Sequence, residues 1–375
     1  MLAAGLLLGG CSARLPVDPQ ARMDPAALLE AAPLVAGGTV PALPREDPFA
    51  LDADMRRFLA DHIDPSRPAQ GRLEQLLTAV IRDPRFSVVY DDRTRSAAEV
   101  FRGRQGNCLS FAAMVVALAR ASGIDASFQE VDVPPDWALG TGTVVVMRHV
   151  NVLVPARHGT DRIVDFDMVN FRTSYDRRVI SDARARAHYH SNLAAEWLQA
   201  DAPLAALAEL RQALAADAGF APAWVNLGVL YLREGHLSWA RAAWWQALAV
   251  SPDEEVAISN LERSYREAGE LALADTLLER VRRFRMTNPY YRYFLAEQAL
   301  EAGDAATAIG HLRYAVHRNP VEDRFLALLG LSYLRQGDLG QAQHWLVQAE
   351  AAAADPGLRE RYHGKIERLR RSGPG

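Results

Sequence analysis

The 375-residue sequence predicts two unlike folded units in series, an α+β domain and then an all-α array of paired helices. Two observations carry that expectation. The first is a change of period: a helical apolar stretch from Asn107 to Gly123 gives way to β-branched, strand-like patterning between Ile124 and Met168. The second is a 34-residue repeat running from about Ala187 to Pro356. Hydrophobic content of 49% with 23% charged residues is that of an ordinary folded chain, and the length allows more than one core. A net charge of -4 gives no reason to expect nucleic acid or an anionic membrane surface as a partner. Two cysteines imply no disulfide framework, and the ten histidines lack paired-ligand spacing, so neither metal nor cofactor is expected.

Residues 1–11 are small and apolar, too short to span a bilayer, and end Leu8-Gly9-Gly10-Cys11. This resembles a bacterial lipobox. The resemblance implies lipidation of Cys11 and an envelope lipoprotein, with Ser12 after the cysteine favouring the outer membrane, facing the periplasm. Residues 12–50, rich in Pro, Ala and Gly, read as a flexible tether.

Regular patterning begins near Asp52 and defines a first domain over 51–182. Met55, Phe58, Leu59 and Ile63 form the apolar stripe of one helix; Leu73, Leu76, Leu77, Val80 and Ile81 form that of a second. Phe86 to Tyr90 reads as a short extended piece, and Ser96 as the cap of a third helix through Val100 and Phe101. Asn107 is then a natural N-cap and Gly123 a natural C′ stop for the helix carrying Phe111, Met114, Val115 and Leu118. Cys108 therefore sits in the first turn, where the positive end of the helix dipole favours thiolate over thiol. Ile124–Val133, Thr143–Val154 and Arg162–Met168 read as strands, the last two as an antiparallel hairpin. If its loop is symmetrical about His158, then His149, Asp165 and Asp167 share a face; a one-residue slip would part them. Cys108, His149 and Asp165 then have the makings of nucleophile, base and orienting carboxylate.

Gly106-Asn107-Cys108-Leu109-Ser110-Phe111, the later Ala119-Arg120-Ala121-Ser122-Gly123-Ile124, Arg148-His149-Val150-Asn151-Val152 and Ile163-Val164-Asp165 together resemble the transglutaminase-like superfamily. The resemblance spans roughly Asp52 to Asp182 and implies a papain-like α+β core. It also implies a Cys108–His149–Asp165 triad with Asp167 in reserve, and an oxyanion site using the backbone N–H of Cys108, with Gln105 a further candidate. Asn151 stands where many relatives have Trp, and no Pro follows Asp165.

In the second half, Leu227, Leu261, Leu295 and Leu329 recur one per unit, as do Ala240, Ala274, Ala308 and Ala342. Gly235, Gly269, Gly303 and Gly337 mark turns between paired helices. This resembles the tetratricopeptide pattern: five repeats over 187–356, then a capping helix and tail over 357–375. The repeat places Arg233, Arg263, Arg266, Tyr290, Tyr293, Arg324 and Arg335 on a groove that would receive an acidic peptide of a protein partner, or would be an ordinary solvated face. The sequence thus supports an envelope lipoprotein with a Cys-His-Asp site acting on amide bonds through a thioester. The alternative is a non-catalytic scaffold whose papain-like domain is inactive.

Overall fold

The computed structural model describes residues 22–36, 38–43, 47–133, 148–156, 159–166 and 175–372. Cys11, His158 and Asp167 lie outside them, as do residues 143–147 of the expected second strand. The first domain opens with α3 (Ala53–His62) and α4 (Ala69–Leu77), whose last turn widens into a π-helical segment over Thr78–Arg82. β1 (Val89–Tyr90), α5 (Ala97–Gly103) and β2 (Gln105–Gly106) lead into α6 (Cys108–Ala121). α5 starts with a full capping box, Ser96 and Glu99 each bonding the other's backbone N–H. α6 is buried on all sides from Leu109 to Ala119, as a helix apolar all round must be.

Against α6 lies an antiparallel sheet in the order β5-β4-β3-β6, with β3 Ser127–Asp132, β4 Arg148–Val154, β5 Arg162–Val164 and β6 Arg177–Ile180. Val152 pairs with Val164 and Leu153 with Ile163, the register that a loop symmetrical about His158 gives. Val150, Val152, Val154 and Val164 join the core around α6. By strand alternation His149, Asn151 and Asp165 take the opposite parity.

The helical half consists of five antiparallel pairs: α7 (Asp182–Gln199) with α8 (Pro203–Ala216), α9 (Ala221–Arg233) with α10 (Leu237–Val250), α11 (Glu255–Glu267) with α12 (Leu271–Thr287), α13 (Pro289–Glu301) with α14 (Ala305–Arg318), and α15 (Asp323–Gln336) with α16 (Leu339–Ala352). The helix α17 (Pro356–Ser372) closes the array. Gly235, Gly269, Gly303 and Gly337 all take left-handed φ between +79° and +91°, so one turn chemistry recurs every 34 residues. Gly228 is required for a different reason: a Cβ there would meet Trp244 Nε1 at 2.2 Å, so only glycine lets α9 and α10 close to this distance.

Two expectations need correction. Residues 25–35, placed in the tether, form α1 (Pro25–Glu30) and α2 (Ala32–Val35). Leu28 and Ala31 are fully buried in the core of the first repeats. Tyr231 Oη donates to the Leu28 carbonyl at 2.6 Å, and Arg211 donates to the carbonyls of Leu29 and Glu30 at 2.8 and 2.9 Å. Six- and four-residue helices are too short to display a period, which is why composition alone suggested free chain. The second correction is at the join: α7 begins at Asp182, not near Ala187, because this helix also walls the first domain. Its His188 and Arg184 pair with the buried Glu130 of β3, and Arg184 reaches on to Asp217 at 2.8 Å. The Glu130 carboxyl is held down to about 2 against its burial by His188 and Arg178.

Candidate active site

The entry to α6 is built to present Cys108. β2 pairs in parallel with β1, Val89 opposite Gln105 and Tyr90 opposite Gly106, which fixes the chain just before the helix. At Gly106 a Cβ would stand 3.0 Å from Val100 Cγ2 and 3.1 Å from Ser110 Cβ, so the strand approaches α5 and α6 closely. Asn107 then caps the helix: Oδ1 accepts from Ser110 N at 2.9 Å and from Ser110 Oγ at 2.8 Å. Cys108 follows as the first helical residue, partly exposed and not in a disulfide. Its backbone N–H has no acceptor within the helix and remains able to serve a developing oxyanion. Gln105 is exposed on β2, and its side chain makes no hydrogen bond among the described residues.

The sheet supplies the partners. His149 Nε2 donates to the Asp165 carboxylate, 2.7 Å to Oδ2 and 2.8 Å to Oδ1. Cys108 lies close enough to the same ring to favour its protonated form, and with Nε2 taken by Asp165 it is Nδ1 that is left to face the sulfur. Burial opposes a charge on His149, but the bonds to Asp165 and Cys108 and their charges overcome it and push its pKa up to about 10. The ring is therefore held as imidazolium at neutral pH.

Asp165 is 4% exposed, so its charge depends on such partners. One of them was not foreseen from the sequence: Asn151 Nδ2 donates to Asp165 Oδ2 at 2.9 Å. The signal was present, since Asn151 lies two residues along β4 from His149 and so on the same face. Asn151 Oδ1 and its cross-strand neighbour Gln129 Oε1 are buried with no hydrogen-bond partner among the described residues. Next to them a cavity of about 960 Å³ opens over the sheet, lined by Leu77, Ile81, Gln129, Leu153, Ile163 and Asp165. Among the described residues no group of three or more His, Cys, Asp or Glu could hold a metal ion.

The seven groove candidates separate on inspection. Arg233 and Arg335 are inter-repeat ties, donating to the carbonyls of Leu198 at 2.5 Å and Leu300 at 2.9 Å, each 35 residues upstream. Arg266 is spanned by Glu262 at 2.6 Å and Asp275 at 3.0 Å, and Arg263 is exposed. Those engaged guanidiniums are not the free forks that the repeat pattern suggested. Arg324 bonds Glu322 at 2.7 Å and lies over the rings of Tyr175, Tyr290 and Tyr293, which joins the segment before β6 to the fourth and fifth repeats. Tyr290 Oη lies 3.4 Å from Glu322 Oε2. Tyr293 and Arg324 line a cavity of about 680 Å³ closed by α17, which adds Arg361, Tyr362, Lys365 and Arg368.

Both parts of the chain have likenesses among known proteins. Residues 57–161 match the transglutaminase-like superfamily core. The helical half is similar to several solved repeat structures. YrrB, described as a TPR protein with an unusual peptide-binding site, is 19% identical over 48% of this chain and 91% of its own, with a TM-score of 0.25. PilF of Pseudomonas aeruginosa is 15% identical over 52% and 96%, TM-score 0.27. MamA of Desulfovibrio magneticus RS-1 is 18% identical over 51% and 98%, TM-score 0.25. No curated protein matches the chain. The tetratricopeptide-like character of the array rests on its own paired helices and the 34-residue period.

Proposed function

We propose that this protein, a transglutaminase-like domain joined to tetratricopeptide-like repeats, is a cysteine enzyme acting on amide bonds through a thioester. The observation that carries the reading is the His149–Asp165 pair, Nε2 2.7 Å from the carboxylate, close enough to Cys108 at the start of α6 for the sulfur to favour the ring's protonated form. Cys108 Sγ attacks the amide carbonyl carbon, and the Cys108 N–H faces the oxygen that gains charge. His149, protonated on the sulfur's side, gives that proton to the departing amine. Water, deprotonated by the now neutral ring, then opens the thioester, releasing the Cys108 sulfur and leaving the ring protonated again. Asp165 keeps the ring oriented and stabilises its cation throughout, with Asn151 holding the carboxylate from behind. Hydrolysis is favoured over self-cross-linking, since Lys365 is the single lysine of the sequence.

The repeats would hold a protein or peptide partner, and the cavity under α17 offers a place for one. It combines tyrosine faces with the cations Arg361 and Lys365, a surface suited to an acidic segment. Lipidation of Cys11 would place the enzyme on the envelope, in the outer membrane facing the periplasm; the Leu8-Gly9-Gly10-Cys11 run supports this. The test is the second-order rate of Cys108 alkylation by iodoacetamide near neutral pH. A rate well above that of free cysteine, lost in His149→Ala, supports the enzyme. An ordinary rate returns the chain to the adaptor reading.

A further inference from the structure

α7 opens the repeat array, yet one of its side chains takes part in the support of the nucleophile helix. Glu196, in its last turns, accepts the backbone N–H of Thr94 through Oε1 at 2.7 Å. Thr94 is 7% exposed, so without that carboxylate its N–H would be left in a site with little access to water. Thr94 Oγ1 in turn accepts from Asn107 Nδ2 at 3.0 Å, and the Asp92 carbonyl shares that donor at 3.4 Å. The other end of the same amide, Oδ1, accepts from Ser110 N and Oγ and so caps α6. Ser110 Oγ is itself bonded by the N–H of Arg95, the residue after Thr94. The segment Asp92–Arg95 therefore grips the Asn107–Ser110 cap at three points. Glu196 anchors that segment from the repeat side, 102 residues away in sequence. Cys108 lies between the two capped positions, so whatever turns the Asn107 amide also turns the first helical residue and its sulfur.

We propose that Glu196 is a positioning residue for Cys108, and that the repeat array sets the reactivity of the thiol through the path Glu196, Thr94, Asn107. This rests on the reading of Cys108 as nucleophile, and it gives the fusion of the two halves a physical purpose. A partner that shifts α7 on binding the repeats would loosen or tighten the cap of α6. The regulation is local, since it passes through three hydrogen bonds and one loop.

The full chain tests it in two ways. Cys108 alkylation by iodoacetamide, followed across pH, should slow about tenfold in Glu196→Ala with an altered profile. Glu196→Gln keeps an acceptor oxygen and should stay within about twofold of the parent. Thr94→Ala should reproduce the Glu196→Ala effect, and the double variant should be no slower than the slower single, because both break one path. In parallel, hydrogen exchange at the amides of Ser110 and Phe111, both bonded to Asn107, should accelerate in Glu196→Ala and not in Glu196→Gln. Parent-like rate, profile and exchange in Glu196→Ala would overturn the proposal, as would effects of Glu196→Ala and Thr94→Ala that multiply. The exchange arm decides the linkage even if parent Cys108 alkylates like free cysteine, a result that would count against the nucleophile reading alone.

Discussion

The two halves of this molecule use side chains differently. In the repeats, each unit solves one packing problem and the answer recurs: a small Ala or Gly where helices cross, a Leu, Tyr or Trp beside it, and in the last four pairs a left-handed Gly at the turn, where the first pair has Asp201. In the transglutaminase-like half, each important residue solves a problem that occurs once. Asp165 needs His149 and Asn151; Asn107 needs Thr94 and Ser110; Glu130 needs His188 and Arg178. Damage to the repeats should therefore appear as lost stability spread over the array. Damage to the transglutaminase-like domain should appear as lost chemistry with the fold kept.

The largest effect follows from the carboxylate. Asp165→Asn keeps the shape but removes the charge that steadies the imidazolium, and amide turnover or thiol trapping should fall about 10²–10⁴-fold. Circular dichroism should stay close to the parent, while the melting temperature at neutral pH should fall, because the same carboxylate stabilises the protonated His149 ring. Next come the packing sites. Leu28→Ala should cost about 2–5 kcal/mol, and Gly228→Ala, which drives a methyl into Trp244, about 1–3 kcal/mol in denaturant melts. Neither should change the alkylation rate of Cys108 in the folded fraction.

A subtler contrast is one of pH. His149 is raised from 6.5 to about 10, so its contribution to stability is complete below about 6.5 and is lost as pH rises through about 10. Glu130 is lowered from 4.5 to about 2, so its contribution is present above about 4.5 and is lost as pH falls toward 2. Melting curves should therefore show the active-site half weakening at high pH and the joint with α7 at low pH. His149→Ala should remove only the alkaline limb. The smallest effect is expected at Arg266→Ala, an exposed guanidinium between Glu262 and Asp275, where no resolvable change in melting should appear.

The repeated half was the more legible in sequence. Helix starts at Ala221, Glu255, Pro289 and Asp323 coincide with the 34-residue units, because five copies of a weak pattern reinforce one another. In the first domain, local signals were legible too. Asn107 caps α6, and the hairpin register is symmetrical about the number 158, since alternation and a short loop leave few other pairings. What could not be read were partnerships between distant, individually ordinary residues. Glu196 with Thr94, and Tyr231 with the Leu28 carbonyl, are joined only by the tertiary fold. Asn151 was noticed only for the Trp it replaces. The groove arginines misled for the same reason: a repeat tells which residues share a position, not that Arg233 and Arg335 are spent on backbone carbonyls.

The central claim is that His149 carries its proton between Cys108 and Asp165 at neutral pH, and nuclear magnetic resonance of the imidazole nitrogens measures this directly. On this account the His149 ring remains doubly protonated through neutrality and loses its proton only near pH 10, with the transition moving down in Cys108→Ala and in Asp165→Asn. A ring that titrates at the ordinary 6.5, indifferent to both substitutions, would contradict it.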